Sequence, residues 1–148
     1  MLAEIETALI AHLKNSALGA KLRDVAGLPD LSGDSLLKRF TTDAPAIYVA
    51  PASFPVESRC AKLRFGLACV ARNRRSPTAA RLGSGAGDPV GLYEMLESAA
   101  ALFEDAQVSK SMWKVLGIDF LNDDLFYRAG VAVGAVQIES RVKMFSTT

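Results

Sequence analysis

Apolar and polar residues alternate most regularly between Ala61 and Arg72. Leu63, Phe65, Leu67, Cys69 and Ala71 fall on one face; Lys62, Arg64 and Arg72 fall on the other. A period of two is what a half-buried β-strand requires. Residues 2–14 follow a different period. Leu2, Ile5, Leu9 and Leu13 form one stripe, with Glu4, Glu6 and Lys14 facing away, which predicts an amphipathic helix whose early acids suit the helix dipole. A second helix is predicted after Pro89 from Leu92, Leu96, Ala99, Phe103 and Ala106, with Glu94, Glu97, Glu104 and Asp105 mostly opposite. Asp88 suits its N-cap and Pro89 its first turn.

Pro45 to Ala50 reads as a strand apolar on both faces, hence central in a sheet, and it forms a hairpin with the 61–72 strand across the turn region Pro51–Arg59. Ser111 to Phe120 reads as a third strand around Trp113, Val115, Leu116 and Ile118, and Leu125 to Phe145 as one long extended segment. In the latter, Val136, Ile138, Val142 and Met144 share one face with Ser140, and Gln137, Glu139, Arg141 and Lys143 share the other, while Val131 and Val133 have the opposite parity; a β-bulge near Gly134 would reconcile the halves. Lys21 to Val25 fits either a short edge strand or a further helical turn. Asp34 to Phe40 reads as a short helix, the 27–33 segment as a loop and Asn122-Asp123-Asp124 as a turn. Residues 76–88, with glycines at 83, 85 and 87, read as a mobile loop. The expectation is a single α+β domain over 1–148: one mixed or antiparallel sheet of about four main strands, two longer helices on one face, in the order α-β-β-α-β-β.

The chain is large enough for one unstapled core, and its 22% charged residues are ordinary for a globular domain. A net charge of +1 gives no global pull toward nucleic acid or anionic membrane. The charge is nonetheless segregated: Arg59 to Arg81 holds seven Lys/Arg and no acid, and Asp88 to Asp105 holds five acids and no base. Two solvated faces are one reading of that; the other is a polar molecule whose basic side meets the acidic side of a copy of itself or of a partner. Cys60 and Cys69 share one predicted strand, which puts them about 30 Å apart and beyond reach of a disulfide. Reduced thiols suit synthesis in a cytoplasm. The N-terminal segment carries acids where a secretory leader would be basic, and no apolar run approaches the ~18 residues of a membrane span.

Reactive constellations are weak. His12, the single histidine, sits beside a leucine stripe with no nucleophile motif around it, and one histidine with two cysteines nine residues apart is not a zinc pattern. Asp123-Asp124 fits a turn better than acid/base chemistry. The run Gly83-Ser-Gly-Ala-Gly87 lies between a strand and a helix, as a phosphate loop does. But it lacks a following Lys-Ser/Thr, and Asp88 would oppose an anion. Arg72, Arg74, Arg75 and Arg81 could touch phosphates without sequence readout, since no aromatic residue is interleaved. No enzyme activity, cofactor or metal is expected. A small DNA-contacting or nucleotide-binding α+β module is the alternative function.

The ordered set Ile5-Glu-Thr-Ala-Leu-Ile-Ala-His-Leu-Lys14, Leu37-Lys-Arg-Phe40, Ala44-Pro-Ala-Ile-Tyr-Val-Ala50, Val70-Ala-Arg-Asn-Arg-Arg75, Gly91-Leu-Tyr-Glu-Met-Leu-Glu97 and Val136-Gln-Ile-Glu-Ser-Arg141 resembles the tail terminator (tail completion) proteins of Mu-like phages and prophages. The resemblance implies a non-enzymatic virion protein made in the bacterial host cytoplasm and built into the tail. Such proteins form a ring, usually hexameric, on the tail tube; the ring ends tube polymerisation and offers the surface for head attachment. The implied partners are further copies of the chain, the tail tube protein and the head–tail connector protein, with non-specific contact to passing DNA and no membrane. The family carries no catalytic residues. On charge and exposure, Arg72, Arg74, Arg75 and Arg81 are the expected partner-facing cations, and Glu94 and Glu97 the intersubunit acids.

Overall fold

The computed structural model describes residues 1–29, 33–73, 76–83 and 89–143. Its elements run α1 (Leu2–Lys14), a 3-10 turn (Gly19–Lys21), β1 (Asp24–Gly27), α2 (Gly33–Asp43), β2 (Ala46–Ser53), β3 (Val56–Glu57), β4 (Cys60–Arg72), α3 (Pro77–Leu82), α4 (Leu92–Phe103), β5 (Gln107–Val108), β6 (Ser111–Leu121), α5 (Asp124–Arg128) and β7 (Val131–Lys143). The α+β class, the helix at 2–14, the two longer helices on one face and the hairpin of β2 with β4 stand. The four-strand estimate and the α-β-β-α-β-β order do not: a strand and a helix (β1, α2) intervene between α1 and β2, and among the described residues seven strands form the sheet, in the order β1-β2-β4-β7-β6-β5, with β3 paired to β4. β1 and β2 are parallel and the other pairs antiparallel, so the sheet is mixed. Of the two readings of Lys21 to Val25 the edge strand holds, as β1 at Asp24–Gly27; the strands missed, β3 and β5, are two residues long, too short to display a period.

β7 slots between β4 and β6 and pairs with β4 without a break from Cys60↔Lys143 to Arg72↔Val131. No bulge occurs at Gly134. The parity change has another cause: the sheet is buried on both faces at this end. Val136 and Ile138 join the main core with Leu63, Phe65, Leu67 and the apolar stripes of α1 and α4. Val131 and Val133 point the other way, into a second cluster with Tyr48, Val70 and Phe40 of α2, packed by Phe126 of α5. The bulge lies instead in β6, where Leu116 is the extra residue between Val115↔Ile138 and Gly117↔Gln137.

Three local expectations are corrected. Residues 77–82, read as part of a mobile loop, form α3. Ser76 caps it by accepting the Ala79 N–H at 3.0 Å, Pro77 occupies the first turn, and Gly83 closes it in the left-handed region at φ 56°. The rest of the glycine loop, 84–88, lies outside the described residues. The N-cap of α4 is Gly91, not Asp88; Gly91 packs so closely on Gly83 that a Cβ on it would sit 2.6 Å from the Gly83 nitrogen. Asp124 begins a one-turn helix, where the Tyr127 N–H donates to the Asp123 carbonyl at 2.9 Å, so the long segment from 125 is not extended until Val131.

Two tight hairpins complete the sheet. Ser58 and Arg59 join β3 to β4, and Ser109 and Lys110 join β5 to β6; all four have φ between 50° and 65°. That is the two-residue turn whose twist matches right-twisted strands, built here without glycine.

Candidate interaction surfaces

The two faces of the sheet end differently. α1 and α4 cover one face. On the other, α2 and α5 cover only the end around Tyr48, Val70 and Val133, and the opposite end is open. There the register places Lys62 beside Arg141 and Arg64 beside Glu139 on β4–β7, and Lys114 beside Glu139 on β6–β7. Lys143 follows along β7, and Arg59 stands at the adjoining turn. The small residues Gly66, Ala68 and Ala135 continue the same face and keep it flat, with Gln137 and the acid Asp119 beside them.

Glu139 is the acid at its centre. It accepts a hydrogen bond from Arg64 Nε at 2.7 Å, and Lys114 Nζ lies 3.7 Å away. The Arg64 hydrogen bond foremost, then the charges of Arg64, Lys114 and Lys62, hold its pKa below the ordinary 4.5 against the opposing effect of burial. The carboxylate is hemmed in by long, half-exposed side chains, with Arg64 at 39% and Lys114 at 61%, and not by the core.

The helix layer carries the opposite charge. Glu4 and Glu6 lie on α1, Glu94 and Glu97 on α4, and Glu104 and Asp105 just beyond it; the bases Lys14 and Lys21 share the layer. Glu94 is paired with Lys21 at 3.1 Å, both about half exposed. Glu104 accepts the Val115 N–H at 3.1 Å from the rim of β6, and Glu97 is exposed.

The predicted cations that are described occupy two settings. Arg72 ends β4 half-buried, donating from Nη1 to the Thr41 carbonyl at 3.2 Å, so its charge also helps close the last turn of α2. Arg81 is on α3, its Nε buried without a hydrogen-bond partner among the described residues. It borders a cavity of about 160 Å³ with Phe120, Asp123, Asp124 and Tyr127. Arg74 and Arg75 lie outside the described residues. Sequence reasoning placed Lys62 and Arg64 on a polar strand face and Arg141 and Lys143 on another; it missed that β7 sets these faces side by side.

A third surface is apolar. From Leu116 to Leu121 the outer rim of β6 has no pairing strand among the described residues. Leu116, Ile118, Phe120 and Leu121 are about half exposed there, and Phe120 meets the exposed Tyr93 of α4 edge-to-face at 6.0 Å. A bare hydrophobic edge is a template for another chain unless something covers it.

The remaining single residues of interest are structural. His12 lies edge-on to Phe103 at 5.2 Å, with Nε2 3.3 Å from the Leu102 carbonyl, so it joins α1 to α4. Cys60 and Cys69 are both free, and burial pushes the Cys69 thiol up to about 12. No helix among the described residues is long and apolar enough to cross a membrane.

No curated protein matches the chain. Residues 1–119 match the family described as Bacteriophage Mu, Gp37. That match takes in α1, the hairpin of β2 with β4, α4 and most of β6, so the chain belongs to this Mu-like phage protein family.

Proposed function

We propose that the protein is a structural component of a Mu-like phage particle that caps the tail tube. In this reading, copies close into a ring, a hexamer, on the head-proximal end of the tube. The ring ends polymerisation and presents the surface to which the head–tail connector protein docks. It works by contact and not by catalysis, is assembled in the cytoplasm of the bacterial host and remains in the virion tail. The observation that carries the reading is the family match over residues 1–119.

The surfaces support it. A flat cationic face, an acidic layer on the opposite side and a bare apolar edge are what a protein needs if its work is to meet several neighbours at once. Arg74, Arg75 and Arg81, at the margins of the glycine loop, are the side chains we assign to the tube or connector.

Polymerising purified tube protein with increasing amounts of this protein tests the reading. Tube growth should stop, and the Arg74→Glu/Arg75→Glu variant should fold yet fail to support head joining. An unchanged length distribution at saturating protein would contradict the capping role. A DNA-contacting module is the second reading, favoured by the cationic sheet face; a salt-sensitive gel shift without tube binding would select it.

A further inference from the structure

We infer that the ring closes by laying the acidic helix layer of one copy on the cationic sheet face of the next. The inference rests on the capping reading and names the two surfaces that would join. On the sheet side stand Arg59, Lys62, Arg64, Lys114, Arg141 and Lys143, with Glu57, Asp119 and Glu139 as the acids. On the helix side stand Glu4, Glu6, Glu94, Glu97, Glu104 and Asp105, with Lys14 and Lys21 as the bases. The sheet face therefore carries a net charge of about +3 and the helix layer about −4, and the two lie on opposite sides of one sheet.

Shape agrees with charge. Apart from Tyr93, which leans toward Phe120 at the β6 rim, small residues are exposed among the helix-layer acids, namely Ala3, Thr7 and Ala11 on α1 and Ala101 on α4, so a flat surface can approach closely. The sheet face is flat because Gly66, Ala68 and Ala135 occupy its middle. Two different patches that complement each other form a heterologous contact. Such a contact cannot satisfy itself in a dimer; it closes a ring when successive copies turn by a constant angle. The occupant is a second copy and not DNA because the complementary acids are on the chain itself, and its net charge is only +1.

Charge reversal tests this. One variant carries Lys62→Glu, Arg141→Glu and Lys143→Glu; the other carries Glu4→Lys, Glu94→Lys and Glu97→Lys, three reversals being what it takes to change the sign of the helix layer. All six positions are exposed, and near-ultraviolet circular dichroism checks that each variant is folded. Sedimentation velocity, with and without tail tubes, should show wild-type assembly. It should show self-association weakened by more than about tenfold in each variant alone, because like charges then face each other. An equimolar mixture of the two should assemble again, since every contact in it regains opposite signs. Wild-type assembly by both single variants would overturn the assignment of surfaces and leave the capping reading intact. A wild-type protein that stays monomeric with and without tubes would overturn both. A sheet-face variant that assembles normally but loses retention by duplex DNA would make DNA the occupant and overturn the inference.

Discussion

Replacing Glu139 by glutamine isolates the electrostatics of the sheet face. The change keeps the size of the side chain and removes the one charge facing Arg64 at 2.7 Å and Lys114 at 3.7 Å. A charge-assisted hydrogen bond contributes about 1.5–3 kcal/mol, and an exposed ion pair 0.2–1 kcal/mol at most sites, so these figures of roughly that order bracket the loss. Arg64 and Lys114 are 39% and 61% exposed, so water screens them and the lower half of the bracket applies. We expect E139Q to lose about 0.5–1.5 kcal/mol at neutral pH, or roughly 3 °C in Tm for a chain of this size. The sign with pH follows from the depressed pKa. Above the ordinary 4.5 the carboxylate is charged in both folded and unfolded chains, and the full contribution is present. As pH falls the unfolded chain takes up the proton first, so the contribution shrinks and is gone once pH passes below the folded pKa. Urea titrations of both proteins from neutral to acid pH should therefore converge, and added salt should narrow the gap at neutral pH. A gap of undiminished size at about pH 2 would show that packing, not charge, holds Glu139 in place.

Gly91→Ala should destabilise by about 1–3 kcal/mol in thermal melts, because the new Cβ would lie 2.6 Å from Gly83 N and 2.8 Å from the Arg81 carbonyl, whereas Gly117→Ala meets nothing within 4 Å and carries no such clash. Lys110→Gly should stabilise by about 1 kcal/mol, since Lys110 sits at φ 62° in a turn glycine adopts freely; an unchanged melt would count against that turn geometry. Native labelling with a thiol reagent should modify Cys60 well before Cys69, whose thiol is buried and pushed up to about 12, and denaturant should expose both; equal native rates would contradict the burial of β4. Trp113→Phe should cost about 2–3 kcal/mol in denaturant titrations, because the buried indole donates from Nε1 to the Val108 carbonyl at 3.0 Å.

Elements with a long period were legible. The 61–72 alternation and the 2–14 stripe became β4 and α1 within a residue, because burial on one face forces the pattern. Short elements were less so: β1 was one of two readings of its stretch, and β3 and β5 owe their existence to a neighbouring strand and not to their own two residues. α3 was hidden because Pro77 and the nearby glycines resemble loop punctuation, although Ser76 and Pro77 are also a helix start. The parity change in β7 was visible at Val131 and Val133 but misassigned, since one-dimensional alternation cannot tell a bulge from a strand whose two ends are covered on opposite faces. The cationic face was half legible: the polar sides of the two strands could be read, but only the pairing of β7 with β4 fuses them. Arg72 shows the limit of reading exposure from charge, for its guanidinium reaches the Thr41 carbonyl, 31 positions away along the chain.

Electron microscopy of the protein mixed with purified tail tubes addresses the capping role head-on. A ring of density confined to one end of each tube is the predicted outcome, while density along the tube walls, at both ends or nowhere would contradict it.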